Sequence, residues 1–213
     1  IDSEEKGKGI AIIKAMKIAQ GSLIGYVDAD NSTEPEAFYS LIQNIKDLDG
    51  IIASRWIIGS IIKIKQPLKR RIASRVFNFM VRKMFNLDFR DTQNGAKLFK
   101  KYALDLIVDD LGKINWAFDI DLLYRLKENE YRIKEIPTVW NDSKKSKLKI
   151  SKASIEMLLA ILKLKYIYLI DNAVKPRILH HGFYECSRCE KIHILNFNTR
   201  LCKECSEEIG VRW

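Results

Sequence analysis

The stretch Leu23-Ile24-Gly25-Tyr26-Val27-Asp28-Ala29-Asp30-Asn31-Ser32-Thr33 runs from an apolar segment straight into two carboxylates one residue apart. Leu23 to Val27 reads as a buried strand, too short for a helix and bounded by turn residues. Asp28 and Asp30 stand at its C-terminal end, where an extended backbone turns alternate side chains to the same side. Two hard oxygen ligands in that place suit magnesium or manganese, which complete their shell with water and substrate phosphates. Taken alone, an Asp-x-Asp after a strand is equally a polar turn, so its neighbours must decide.

Upstream, Ile12, Ala15, Met16 and Ala19 recur at helical spacing after Gly7-Lys8-Gly9, with Gly21 as the stop. Downstream, Thr33-Glu34-Pro35-Glu36 has the form of a capping box with proline in the first turn, predicting a helix from Glu34 to about Asp47. Gly50 to Ser54 reads as a second short strand. Pro67 can open a long helix in which Leu68, Ile72, Val76, Phe79 and Met80 form one apolar stripe, flanked by Lys69, Arg70, Arg71, Arg75 and Arg82. Ala96 to Phe99 looks extended, Phe118, Leu122, Leu123 and Leu126 mark another helix, and Tyr131 to Ile136 another strand. Strands alternating with helices predict an α/β layer fold.

With 213 residues, 47% of them apolar, the chain can fill the core of one α/β domain and carry a small extra module. Thirty-seven Lys and Arg against 27 Asp and Glu leave a formal charge of +10, which favours an anionic partner such as nucleic acid, a phosphorylated substrate or acidic lipid. All four cysteines fall in the last 28 residues as Cys186-x-x-Cys189 and Cys202-x-x-Cys205, a metal-site spacing in a reducing compartment and not a disulfide framework. Four thiolates on two short turns close a tetrahedral structural zinc site, with a rubredoxin-like iron site as the alternative. His180, His181 and His193 are surplus to such a site. The apolar segment Ile155 to Ile170, interrupted by Lys163 and Lys165, is shorter than the roughly 20 residues that span a bilayer, but it suits a membrane surface. Lys144, Lys145, Lys147, Lys149 and Lys152 precede it and match anionic headgroups, or else form a plain soluble linker.

Five stretches in order carry a more specific signal: Lys6 to Gly9 (KGKG), Val27 to Thr33 (VDADNST), Ala53 to Trp56 (ASRW), Phe89 to Phe99 (FRDTQNGAKLF) and Trp116 to Tyr124 (WAFDIDLLY). Together they resemble the family 2 glycosyltransferases, in particular the dolichyl-phosphate glucose and mannose synthase branch. The resemblance implies a GT-A-like nucleotide-sugar transferase domain over residues 1–150; an apolar helix and linker over 151–175 and, on the cysteine spacing, a zinc ribbon over 176–213 follow it. It implies that Asp28 and Asp30 hold Mg2+ or Mn2+ and the diphosphate, with Lys8 and Gln93 also at the substrate. Arg55, Arg71, Ser74 and Arg75 are placed at the acceptor phosphate, because a guanidinium can grip phosphate bidentately. Asp91 is expected beside the reacting groups, as a general base if the acceptor is a hydroxyl and as a positioning group if it is already a phosphate anion. Trp116, Phe118, Asp119 and Asp121 fit either this family motif or an ordinary helix start.

The implied reaction is inverting sugar transfer from a UDP- or GDP-sugar to a polyprenyl or dolichyl phosphate at the cytoplasmic membrane face. Asn31-Ser32-Thr33 stands closer to the glucosyl relatives than to the mannosyl ones. Two family signatures, a Pro-Ala-Tyr-Asn-Glu-like loop and a strand ending in Asp-Asp-Gly-Ser, are missing, so the sequence reads as an N-terminally truncated piece without most of the nucleoside pocket and with little activity of its own. A basic zinc-ribbon protein that binds nucleic acid is the competing reading. It accounts for the charge but leaves Asp28, Asp30 and the 89–99 stretch unused.

Overall fold

A computed structural model describes residues 7–64, 67–112, 114 and 117–141, together with the helix and strands lying within 150–179, 184–185 and 192–193. The chain divides into two compact units, residues 1–165 and 166–213. In the first, helix α1 (Lys8–Ile18) leads to β1 (Leu23–Tyr26), α2 (Pro35–Asn44) and β2 (Gly50–Ser54). After β3 (Ile61–Ile64) come α3 (Leu68–Phe85), β4 (Lys97–Lys100), α4 (Lys101–Asp105), α5 (Phe118–Glu128), β5 (Ile133–Pro137) and β6 (Val139–Asn141). The long α6 (Ile150–Leu179) passes into the second unit, where β7 (Tyr184–Glu185) and β8 (Ile192–His193) pair antiparallel. The sequence between β7 and β8 contains Cys186 and Cys189; all four cysteines lie outside the described residues.

The main sheet has the order β1-β4-β2-β5, and β2 runs parallel to β5 while β4 runs antiparallel to both its neighbours. That reversal has a functional consequence. It brings the start of β4 to the same edge as the ends of β1 and β2, with Lys97 in register with Tyr26 on one side and Ile52 on the other. A core of Leu41, Ile45, Ile51, Ala53, Ala96 and Leu98 lies between α2 and the sheet, with Phe38, Leu48 and Ile136 against it. β3 and β6 form a separate parallel pair.

Four expectations need correcting. β1 is not buried: it ends at Tyr26, stands at the sheet edge, and only Ile24 is buried, so Asp28 and Asp30 lie beyond the strand, with Asp30 in a turn. The capping box does not form, since the N-cap of α2 is Glu34 and no side chain caps it; Thr33 is instead bridged to Trp140. The apolar stripe of α3 faces outward, with Leu68, Ile72, Val76 and Phe79 between 53% and 66% exposed, while Val81 and Phe85 are the residues of this helix that reach the core. Periodicity reveals an apolar face but not what covers it. Finally, α6 is longer than the apolar segment Ile155 to Ile170. It starts at Ile150 and continues through Pro176, forgoing the one backbone hydrogen bond that proline cannot donate.

Asp49 shows how the ends of the sheet are tied. It accepts hydrogen bonds from the Tyr102 hydroxyl and from the backbone N–H of Arg132 at 2.7 Å. Burial raises its pKa, but these bonds and the charges of Arg132 and Lys100 outweigh it, so the net shift is downward. Tyr102 is pushed up to about 12, first by that hydrogen bond. A depressed carboxylate stabilises the fold above its unfolded pKa of about 3.9 and loses that contribution as pH falls through the lower folded value. Tyr102→Phe is therefore expected to cost about 1 kcal/mol, or roughly 2–4 °C in Tm, at neutral pH, with the difference from wild type shrinking below about pH 4 in thermal melts.

Candidate active site

Three chain segments meet at the edge where β1 and β2 end and β4 begins. The first is the turn after β1. Asp30 Oδ1 accepts the N–H of Ser32 at 3.0 Å, and Asn31 takes the left-handed conformation (φ 61°) that closes the turn. The Asp28 carboxyl lies against Gly95. A Cβ at Gly95 would stand 1.9 Å from Asp28 Oδ2 and 2.0 Å from its Cγ, so the carboxyl is seated where only glycine leaves room.

Lys8, the first residue of α1, reaches this seat. Gly7, at φ 154° and ψ 145°, makes the entry into the helix with a backbone that is essentially glycine's alone. Lys8 Nζ lies 2.7 Å from Asp28 Oδ1 and 3.4 Å from Asp119 Oδ2. Asp119, at the start of α5, accepts Lys97 Nζ and the Tyr26 hydroxyl on Oδ1, each at 2.6 Å. Lys97 is completely buried and also donates to the Asn94 carbonyl. Burial depresses the Lys97 pKa more than Asp119 restores it. Burial would raise that of Asp119, but Lys97, Lys8 and the Tyr26 bond outweigh it and leave it lowered. Lys8 is raised on balance, since Asp119 and Asp28 together overcome its desolvation. Tyr26 is pushed well up by burial and by the Asp119 charge, so its hydroxyl stays a donor.

The third segment is the loop from Arg90 to Gly95. Asp91, 3% exposed, accepts the backbone N–H of Arg55 at 2.9 Å, its Nε at 2.7 Å and its NH2 group at 2.8 Å. Glu135 on β5 accepts the N–H groups of both Arg90 and Asp91 at 2.8 Å, and burial raises its pKa. Asn78 on α3 accepts the Thr92 N–H and hydroxyl and donates to the carbonyls of Phe89 and Arg90. The loop is thus fixed to β2, β5 and α3 at once.

A scan against protein families matches Glycosyl transferase family 2 over residues 1–107. The chain belongs to glycosyltransferase family 2. Among its curated relatives, Glycosyltransferase AglD of Haloferax volcanii is 28% identical across 81% of this chain and 27% of that protein. The dolichyl-phosphate beta-glucosyltransferase of Dictyostelium discoideum is 29% identical across 78% of this chain and 53% of its own length, and that of Drosophila melanogaster is 31% identical across 68% and 47%. The chain spans about half the length of the glucosyltransferase relatives it matches, and a smaller share of AglD. The crystal structure of mannosyl-3-phosphoglycerate synthase from Rubrobacter xylanophilus superposes with a TM-score of 0.50 at 14% identity, over 74% of this chain and 50% of that one, a likeness of fold alone.

Within this family 2 domain the residues expected from sequence fall into two groups. Lys8, Asp28 and Asp30 surround the turn after β1, and Asp91 and Arg55 form one clamp beside it. Arg75 on α3 stacks 5.1 Å from the Trp56 ring, and the Arg55 guanidinium lies 5.1 Å from that of Trp140. Arg71 and Ser74 lie on α3 with intermediate burial, and Gln93 lies in the Asp91 loop, also half-buried. Trp116 is outside the described residues. Asp121 is structural: buried, it pairs with Arg125 at 2.8 Å and accepts the Gly112 N–H. Sequence reasoning missed Tyr26 and Lys97 and left Asp119 undecided. The available signal was Lys97 itself, a lysine opening a strand whose next two residues, Leu98 and Phe99, belong to the core.

Proposed function

We propose that the protein carrying this chain transfers a sugar, glucose in the first instance, from a UDP- or GDP-sugar to a dolichyl or polyprenyl phosphate at the cytoplasmic membrane face, with inversion and with Mg2+ or Mn2+. The relatives named dolichyl-phosphate beta-glucosyltransferase support the acceptor and the sugar. The observation that carries the reading is the state of Asp91. Its carboxylate is taken up by three hydrogen bonds from Arg55, so it is poorly placed to collect a proton. A hydroxyl acceptor needs a base there, whereas a phosphate oxygen attacks as an anion. The acceptor oxygen bonds to the anomeric carbon as the carbon–oxygen bond to the nucleotide diphosphate breaks. Arg75 and Arg71 on α3 would counter the acceptor's charge, Arg55 would fix the floor beside it, and catalysis is positioning and electrostatics.

The residues present fit a divalent cation. Asp28 and Asp30 are hard oxygen donors, Gly95 leaves the Asp28 carboxyl its seat, and among the described residues no third acidic, His or Cys group joins them. Two carboxylates completed by substrate phosphates are the usual holding of magnesium. The ion would supply stabilisation of charge on the leaving diphosphate. Ser32 Oγ, Asn94 Nδ2 and Asn141 Oδ1 are buried beside these segments without a protein partner among the described residues, as polar atoms awaiting ligand or water do. For the cysteines the proposal stays structural zinc, on their spacing.

Among the described residues no helix is long and apolar enough to cross a membrane. Ile58, Ile61 and Ile64 are exposed like the outward stripe of α3, whose flank carries Arg71 and Arg75. This suits a surface that meets lipid while its cations reach a lipid phosphate.

The test is radiolabel transfer by the full-length protein from UDP-glucose to dolichyl phosphate with Mn2+. Asp30→Ala is expected to lower turnover by about 10²-fold or more. The double change Ile72→Ser, Phe79→Ser should depress transfer to vesicle-embedded acceptor and spare transfer to a short, soluble polyprenyl phosphate. Product with a sugar hydroxyl acceptor and none with a lipid phosphate would overturn the reading.

A further inference from the structure

Lys8 sits where a cation is wanted. Its ammonium is 2.7 Å from Asp28 Oδ1, on the same carboxyl whose Oδ2 is pressed against Gly95. A divalent ion approaching Asp28 therefore meets a carboxylate already neutralised by a tethered charge, and the two cations repel at close range. Lys8 also has a second anion within reach. Asp119 draws it from the other side at 3.4 Å, and Asp119 is itself held by buried Lys97 and Tyr26, both at 2.6 Å. Lys8 and Lys97 balance Asp28 and Asp119 without any ion.

We propose that Lys8 is a built-in competitor for the cation at Asp28, kept in place by Asp119, so that the site takes up a cation–diphosphate complex in preference to the bare cation. This rests on the reading of Asp28 and Asp30 as cation ligands. The diphosphate supplies what the bare ion lacks, namely phosphate oxygens to which the ammonium can transfer as it leaves Asp28. Lys8 then contributes to nucleotide binding, and Asp119, which touches neither ion nor phosphate, is a positioning residue. The consequence is ordered loading: metal enters with its nucleotide, and a site without nucleotide does not become occupied by stray dications.

The experiment is Mn2+ titration of the full-length protein, followed by the electron paramagnetic resonance of free Mn2+, with and without UDP. Lys8→Met is expected to tighten bare Mn2+ roughly three- to fivefold, the scale of one partly exposed ion pair, and to weaken uptake of Mn2+ with UDP by at least as much. A residue that merely supports the fold would weaken both. Asp119→Asn, which leaves Lys8 wholly to Asp28, should move bare Mn2+ the opposite way from Lys8→Met. Because that variant also strips buried Lys97 of its partner, Lys17→Met, which removes a lysine of the same helix that pairs with Asp109, is the second control and should bind Mn2+ as wild type does. If wild type binds Mn2+ with UDP and Lys8→Met leaves bare Mn2+ binding unchanged or weaker, the competitor role is wrong while the cation site stands. If wild type takes up no Mn2+ under either condition, the cation site fails and the competitor with it.

Discussion

Gly95→Ala is expected to abolish transfer while leaving a folded protein. The glycine is not in a left-handed conformation, so alanine is tolerated by the backbone; what it meets is Asp28, whose Oδ2 and Cγ lie 1.9 and 2.0 Å from the new Cβ. No contact that close can survive, and the atoms that can give way belong to one of the two carboxylates proposed to hold the cation. Displacing it should cost about 10²-fold or more in turnover, as misplacing a preorganised charge does, together with about 1–3 kcal/mol of stability from overpacking. The double variant Gly95→Ala, Asp28→Gly separates the two effects. Removing the Asp28 side chain removes the clash, so calorimetric stability should return towards wild type while turnover stays lost. Stability that remains as low as in Gly95→Ala alone would mean the damage is not at Asp28.

The same contact explains why two distant motifs belong together. From the sequence, Asp28-Ala29-Asp30 and Asp91 to Lys97 can be identified separately as acidic turn and polar loop, and β2, β4, α5 and β5 can be placed within a few residues by their apolar patterns. Their meeting depends on β4 running antiparallel between β1 and β2, a pairing that no local period encodes. Lys97 illustrates the limit: its register with Tyr26 places it in the interior, where Asp119, 22 residues along the chain, and the Asn94 carbonyl make its charge tolerable. The outward stripe of α3 marks another limit, since Leu68 and Ile72 would read the same against a core or against lipid. β3 and β6 were illegible because each is only three or four residues long and is stabilised by pairing with the other.

Breaking the Arg55–Asp91 clamp should be strongly destabilising. Arg55 is 13% exposed at its side chain and Asp91 3%, so the pair lies away from water, and removal of either partner leaves the other charged and desolvated. Losses of about 3–5 kcal/mol follow from such orphaning, whereas replacing both partners by apolar groups of similar volume costs far less. Asp91→Asn and Arg55→Met are thus each expected to lower the unfolding free energy by about 3 kcal/mol or more, and the double variant Arg55→Met, Asp91→Leu to recover much of it, in denaturant melts. Activity should divide differently. If the acceptor is a lipid phosphate, Asp91→Asn acts through the displaced Arg55 floor, raising KM for the acceptor and leaving the pH profile of turnover unchanged in shape. If Asp91 were a base for a hydroxyl acceptor, the variant would lose turnover at saturating acceptor, and the acid limb of the wild-type profile would vanish with it. The three bonds that Arg55 already makes to this carboxylate favour the first outcome.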